Sequence, residues 1–505
     1  MKRPCLTYLF LSVLLPLLFV SCRKDPLPVS SQEAEQGSGV YVSIVVNTES
    51  SNASRVPTPG EDGDGKQPGT GDENKVYDLT VFFLDDDLNS AKEICASAYF
   101  DEKDITPEAS GNITLYTVQK EIEGLYVGNT YHVLVIVNAG DLTNDIGNID
   151  ALKNKTFSDV ILSKDSGQWF LMASEKDSGE IEIRANNSEY NPTWVTVNVE
   201  RMTARVDCAW DKEYIITGDN MPSESGGYGR DKVKILGAAL VNRYNGNTYA
   251  FKRVTEGTSV NGDIIYLGDE LLSPSSATTA GNYVLDPLTA SGKSNTDFDY
   301  YYPEYLSWDT GTDFYSVYTD LSVSSTYANR DYYRLSYTKE NVNSVYRLRV
   351  DGVERYATGI MFKAQYTPDG FTEGTTFYVY PKNSVRTVFT RVELFQELEN
   401  DNISIEDDIS DELLADLVSD LEIYKGGECY YIYWIRHADD DNDNENRISV
   451  MEFAIVRNNI YQLYINSIEG LGSPEPDSHI EELEEEIHLY VKAWTNKDVE
   501  VPAFD

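Results

Sequence analysis

The sequence predicts an all-β chain, mainly strands with a few short helices. Three observations carry this. Apolar and polar residues alternate in short runs along most of the chain, the period at which side chains alternate between the two faces of a sheet. Only the segment after Ser410 has a clear helical stripe. Between the runs lie stretches rich in Gly, Pro, Ser, Asn and Asp, residues that turn the backbone. With 505 residues, 41% of them hydrophobic, the chain can build real cores in two or three domains.

Residues 1–21 read as a signal peptide. Lys2 and Arg3 are its basic end, and Leu9 to Val20 its apolar run, interrupted by Pro16 and too short to span a bilayer. Phe19-Val20-Ser21-Cys22 resembles a bacterial lipobox, which makes Cys22 the expected acylation site; an ordinary signal peptide ending near a cysteine is the plainer reading. A polar stretch from Arg23 to Ser38 then reads as a tether.

Val40, Val42, Ile44 and Val46 fall on one face of the next run, and burying four such side chains is worth up to about 6 to 12 kcal/mol. Residues 48–75 carry Pro57, Pro59 and many Gly, Ser, Asn and Asp, so an exposed loop is expected. Arg55 is its only arginine, and exposed loops are where proteases cut. Cleavage there would free the first strand and leave Val56 as the new terminus; a solvated basic residue is the alternative.

Strands are then expected over Leu79–Phe83, Tyr131–Val137 (apolar on both faces, hence covered on both) and Trp194–Val199. Short helices are expected within Leu142–Val160. A composition shift over Thr217–Gly229 suggests a linker, dividing the chain into domains at 56–212 and 213–505. Further strands are expected at Val233–Val241, Tyr356–Tyr366, Thr376–Tyr380, Tyr430–Ile435 and Ile448–Val456. A helix is expected over Ser410–Leu421, with Leu413, Leu414, Leu417 and Leu421 on one side and Ser410 as its cap. Asn458-Asn459 reads as a two-residue hairpin turn, since Asn tolerates positive φ. Near the end Ile487, Leu489, Val491 and Ala493 alternate, followed by Val499 and Val501.

The balance of 41 Lys+Arg against 84 Asp+Glu, a net charge of -43, disfavours nucleic acid and anionic membranes as partners. The four histidines sit in no nucleophile or metal motif. His132, inside an apolar strand, reads as a satisfied core or edge residue. No enzyme, no cofactor and no metal are therefore expected. The acidic loop Asp439–Glu445 lacks the glycine and glutamate of an EF-hand and reads as solvated. The tyrosines of Tyr300–Tyr305 read as structural. Cys95, Cys208 and Cys429 could form at most one disulfide.

Several stretches, taken in order, resemble the Bacteroidales fimbrillins, and most closely the major subunit of the minor (short) fimbriae. They are the lipobox-like Cys22, the strand followed by Arg55, Asn74–Leu84, Val199–Val206, Tyr431–His437, Met451–Asn459 and Ile468–Gly472. The resemblance implies two transthyretin-like β-sandwich domains and export as a lipoprotein to the outer membrane. An Arg-specific protease would cut after Arg55 and the strand Val40–Val46 would be expelled. A donor segment within Ile487–Val501 of another copy would then fill the groove. It implies a structural role at the cell outer membrane and in the fimbrium, in adhesion and biofilm formation, with accessory tip and anchor subunits as further partners. The alternatives are a tip or anchor subunit, or a non-polymerising surface lipoprotein that binds glycan or host protein.

Overall fold

The computed structural model describes residues 39–48, 66–67, 69, 71–110, 113–164, 167–216, 221–224, 229–244, 246–260, 263–266, 270–271, 282–285, 287, 298–299, 323–327, 330–341, 357–406, 408–437, 452–476 and 487–494. The chain divides into Met1–Ser38, which lies outside the described residues, and the unit Gly39–Asp505. Strands dominate that unit, with a few short helices.

The first sheet has nine strands. Along its main path run Ile94–Phe100, Leu79–Leu84, Thr130–Val137, Met172–Ser174, Thr193–Arg201, Val40–Asn47, Ile113–Ile122 and Thr106–Ser110. The pair Ile181–Glu182 adds to Thr130–Val137. One face of these strands meets in a single core: Val40, Val42, Ile44 and Val46 pack in the same cluster as Val81, Phe83, Phe100, Val118, Val133, Val135 and Val197. The opposite face of the middle strands is covered too. Phe82, Leu134 and Ile136 pack there with Leu142, Ile149, Leu152, Val160 and Phe251, which is why Tyr131–Val137 is apolar on both sides. The helix in that covering layer is short, Ile149–Lys153, capped by Asn148, whose side chain accepts from the Ala151 N–H.

After Arg201 the chain changes sheets with only Met202 between. Thr203–Ala209 pairs antiparallel with Arg330–Lys339 and parallel with Asn459–Ile465. Ile487–Trp494 adds to Asn459–Ile465, Val323–Tyr327 to Arg330–Lys339, and Lys66–Gln67 to Ile487–Trp494. A four-stranded sheet of Tyr214–Ile215, Lys232–Val241, Gly359–Thr367 and Glu428–Trp434 shares a core with this second sheet. In that core Val206, Cys208, Leu335 and Leu463 meet Val233, Ile360, Phe362 and Tyr431. The second sheet thus draws strands from residues on both sides of position 212. The described part of the expected linker is packed: Met221 is buried, and its N–H donates to Asp231 at 3.0 Å.

Two helices cover the small sheet of Phe377–Lys382, Val385–Phe389 and Glu422–Tyr424. One, Arg391–Asn400, has a full capping box between Thr390 and Glu393 and was not expected from the sequence. The other spans Asp411–Leu417, and Ser410 caps it as expected. Its apolar stripe is only half right: Leu414 is buried, but Leu413 and Leu417 are 56% and 65% exposed. Seven residues make barely two turns, so a single leucine row reaches the sheet.

The expected strand Ile448–Val456 is also corrected within the described residues. Glu452–Val456 forms none; the Glu452 carbonyl accepts from the His437 N–H, and Ile455 makes an isolated bridge to Asn341. Phe453, Ala454, Ile455 and Val456 are all buried, so the run has no solvent face to alternate with. Asn458 does take positive φ, at 57°, but it redirects the chain into Asn459–Ile465, whose sheet neighbours come from elsewhere, and no hairpin forms.

Candidate functional site: the seat of the first strand

Val40–Asn47 is an interior strand. It runs parallel to Thr193–Arg201, Val42 opposite Thr193 and Asn47 opposite Asn198, and antiparallel to Ile113–Ile122, Val40 opposite Ile122 and Asn47 opposite Leu115. The parallel ladder begins only at Val42, and Asn187 extends it: its side chain accepts from the Tyr41 N–H and donates to the Tyr41 carbonyl, each at 2.8 Å. Val42, Ile44 and Val46 are fully buried and Val40 nearly so. The other face is covered as well, since Ser43 and Val45 are buried. Ser43 Oγ donates to Gln119 Oε1 at 2.9 Å, and Asn47 Nδ2 to Asn198 Oδ1 at 3.0 Å.

Where this strand ends, a buried arginine takes hold of the chain on both sides of residues 49–65. Arg201 is fully buried at the end of its own strand. Its Nη2 donates to the Thr48 carbonyl at 3.3 Å and to Asn74 Oδ1, its Nε to the Glu73 carbonyl at 3.0 Å, and its Nη1 to Asn458 Oδ1 at 3.1 Å. Gly69 lies so near that a Cβ there would sit 2.8 Å from Nη2 and collide with Asn74. Thr48 precedes residues 49–65, while Gly69, Glu73 and Asn74 follow them; one guanidinium meets the chain on both sides.

Four residues on, Arg205 builds a second buried cluster. It donates to both carboxylate oxygens of Asp207, at 3.0 and 2.9 Å, and to Glu73 Oε2 at 3.0 Å, while the Tyr337 hydroxyl donates to Glu73 Oε1 at 2.5 Å. Burial by itself would lower the Arg205 pKa, but the charges of Asp207 and Glu73 more than offset this and hold it above the ordinary value. Burial, and then the Glu73 charge, raise the Tyr337 pKa. Gln462 links the cluster to the post-loop segment, donating to Gln67 Oε1 at 2.8 Å and Asp207 Oδ2 at 3.3 Å.

Arg201, Arg205, Glu73 and Asn74 received no role in the sequence reading, although Asn74 and the two arginines lie inside stretches that carried the resemblance. The signal for Arg205 was its place between Ala204 and Val206, an arginine inside a short apolar run.

Of the expected terminal run, Ile487, Leu489, Val491 and Ala493 lie in the strand Ile487–Trp494, which pairs along its length with Asn459–Ile465. The pair Lys66–Gln67 lies parallel to its other edge, opposite Ala493 and Trp494. First strand and terminal strand therefore stand in different sheets. Cys22, Arg55, Val56, Val499, Val501, Tyr300–Tyr305 and the loop Asp439–Glu445 lie outside the described residues. His132 Nδ1 stands 2.5 Å from Asp177 Oδ1, the satisfied histidine that was expected. Cys95, Cys208 and Cys429 are free thiols. Among the described residues there is no cluster of three metal-ligating side chains, and no helix is long and apolar enough to cross a membrane.

The described residues thus form a mainly β unit whose first strand is seated between two others. Residues 422–500 match the family model of the fimbrillin C-terminal region, described as major fimbrial subunit protein type IV. Over these residues the chain is thus fimbrillin-related. Among solved structures it is similar to a fimbrilin (fimA) from Porphyromonas gingivalis W83, at 12% identity and a TM-score of 0.37, over 92% of this chain and 99% of that one. It is also similar to a fimbrial assembly protein from Parabacteroides distasonis ATCC 8503, at 12% identity and a TM-score of 0.28, over 65% of this chain and 95% of that one. No curated protein matches the chain.

Proposed function

We propose that this chain is a polymerising fimbrial shaft subunit, of the kind that forms the minor fimbriae, built as two transthyretin-like β-sandwich domains. It is exported as a lipoprotein acylated on Cys22 and carried to the outer membrane. An Arg-specific protease cuts after Arg55, Val40–Val46 leaves, and the terminal segment of another copy takes its place. Tip and anchor subunits complete the fibre, which serves adhesion and biofilm formation.

One observation carries the reading: the first strand is interior to its sheet, yet the peptide link between it and the rest of the unit runs through the sequence that holds Arg55. Removing it opens two rows of unpaired ladder groups and the core face that Val42, Ile44 and Val46 now fill. Such a groove accepts a strand of matching alternation. Because each subunit gives from one surface and receives at another, the contact repeats into a filament.

The test is Arg55→Ala, read on cell-surface protein by gel ladder and by N-terminal sequencing. The expected result is lipidated monomer with few polymers, against Val56 as the mature terminus of the wild type. Polymer ladders of normal abundance in the variant would overturn the assignment.

A further inference from the structure

We propose that the loop Asn187–Asn191 is a strap across the outer face of the first strand, which must lift for that strand to leave its seat and for another to enter. This rests on the strand-exchange reading and adds to it a gate that both steps share.

The loop begins on one side of the first strand and is tied down on the other. On the Thr193–Arg201 side, Asn187 holds the backbone of Tyr41 and donates to Thr193 Oγ1 at 3.1 Å. Ser188 and Asn191 then close a tight turn, the N–H of each donating to the carbonyl of the other, at 3.1 and 3.0 Å. Within that turn the Glu189 carbonyl accepts from Gln119 Nε2 at 2.7 Å. Gln119 belongs to Ile113–Ile122, the neighbour on the far side, where it stands opposite Ser43. A loop that reaches from Asn187 to Gln119 has to pass over the strand between them. Burial agrees with this path. Ser43 points away from the core and has exposed residues on both sides, Gln119 and Trp194, yet it is itself fully buried.

The strap does not depend on the strand it covers. Its turn, the bond from Gln119 to Glu189, the bond from Asn187 to Thr193, and that from Asn191 Nδ2 to the Asn186 carbonyl at 3.1 Å all join residues that stay with the body after a cut at Arg55. An emptied seat is therefore still bridged where Tyr41 to Ser43 had been. The departing strand is laddered on both edges, so sliding out lengthwise would break every ladder bond at once. Peeling from Asn47 breaks them a few at a time, and it ends at the strap. An incoming strand meets the same bridge from the other direction. At the far side only one side-chain hydrogen bond, that of Gln119, is described as holding the turn down, so the gate opens at modest cost.

The full chain is cut after Arg55 and two rates are read in mild denaturant: departure of the first strand and, once it has been removed, uptake of a synthetic strand covering residues 33–50. Gln119→Glu keeps an oxygen for the Ser43 hydroxyl but offers no N–H to the Glu189 carbonyl, and high salt screens its added charge. It is expected to raise both rates about ten-fold over the wild type. Ser43→Ala, placed in the first strand and in the synthetic one, loses the bond to Gln119 but leaves the strap tied, and is expected to speed departure alone. Faster departure with unchanged uptake in Gln119→Glu would make the loop an ordinary contact and overturn the inference, as would two unchanged rates. Gln119 is exposed, so the fold does not hang on it; Asn191→Ala, which loosens the base of the turn, is a second variant expected to raise both rates. A cut wild type that never releases its strand, or takes none once emptied, sinks strand exchange itself and the inference with it.

Discussion

The buried arginines show how single residues hold the unit together. Glu73 and Asp207 flank Arg205 with almost no solvent exposure, so removing one partner leaves charge uncompensated in the interior. Glu73→Gln is expected to destabilise the uncut chain by about 3 kcal/mol or more, read as a lower urea midpoint at unchanged slope. The thiols give a second prediction. Burial pushes the Cys429 thiol up to about 12 and raises that of Cys208 as well. Neither should react with iodoacetamide at pH 8 until the chain unfolds; fast labelling of the native protein would contradict their burial. A thiol pKa raised by folding adds stability that is fully present below the unfolded value, about 8.5, and is lost as pH climbs through the folded one. Cys429→Ser should therefore steepen no part of the stability profile between pH 6 and pH 8.

Elements were legible in proportion to the clarity of their period. The strands at Leu79, Tyr131, Trp194, Val233 and Phe377 could be read because alternation or a continuous apolar run survives in each. Helix Arg391–Asn400 was missed, and its signal was local: Thr390 followed three residues later by Glu393, each side chain satisfying the other's backbone N–H. Thr390→Ala should cost about 1 kcal/mol. For Asp411–Leu417 the leucine pattern misled, because in so short a helix the sheet contacts Leu414 while Leu413 and Leu417 face outward. Leu414→Ala should cost about 2 to 5 kcal/mol and Leu413→Ala within about 0.5 kcal/mol, measured by chemical denaturation; similar losses at both would restore the broad stripe.

At the scale of the molecule, composition and spacing indicated the β class, and the order of several stretches indicated the relatives. Topology was hidden. Nothing local tells that Thr203–Ala209 joins strands near residues 335 and 460, or that Arg201 meets Thr48, 153 residues earlier in the chain; such pairings are fixed by packing between distant segments. Removing residues 487–505 should leave a chain that is cut at Arg55 yet adds no further copies, seen as processed monomer on a gel. Unimpaired fibres would place the donor elsewhere.

The parallel partnership of the first strand also bears on how the chain acquires its structure. Asn47 meets Asn198 across 151 residues, so the first strand lacks its parallel partner until the chain through Arg201 has been synthesised and ordered. Pairings of such sequence separation form slowly, and meanwhile Val40–Val46 keeps one edge unpaired, an aggregation-prone arrangement. A nascent or truncated chain ending before Thr193 should therefore need a chaperone to stay apart from its neighbours, whereas one extended past Arg201 can shelter the strand within itself.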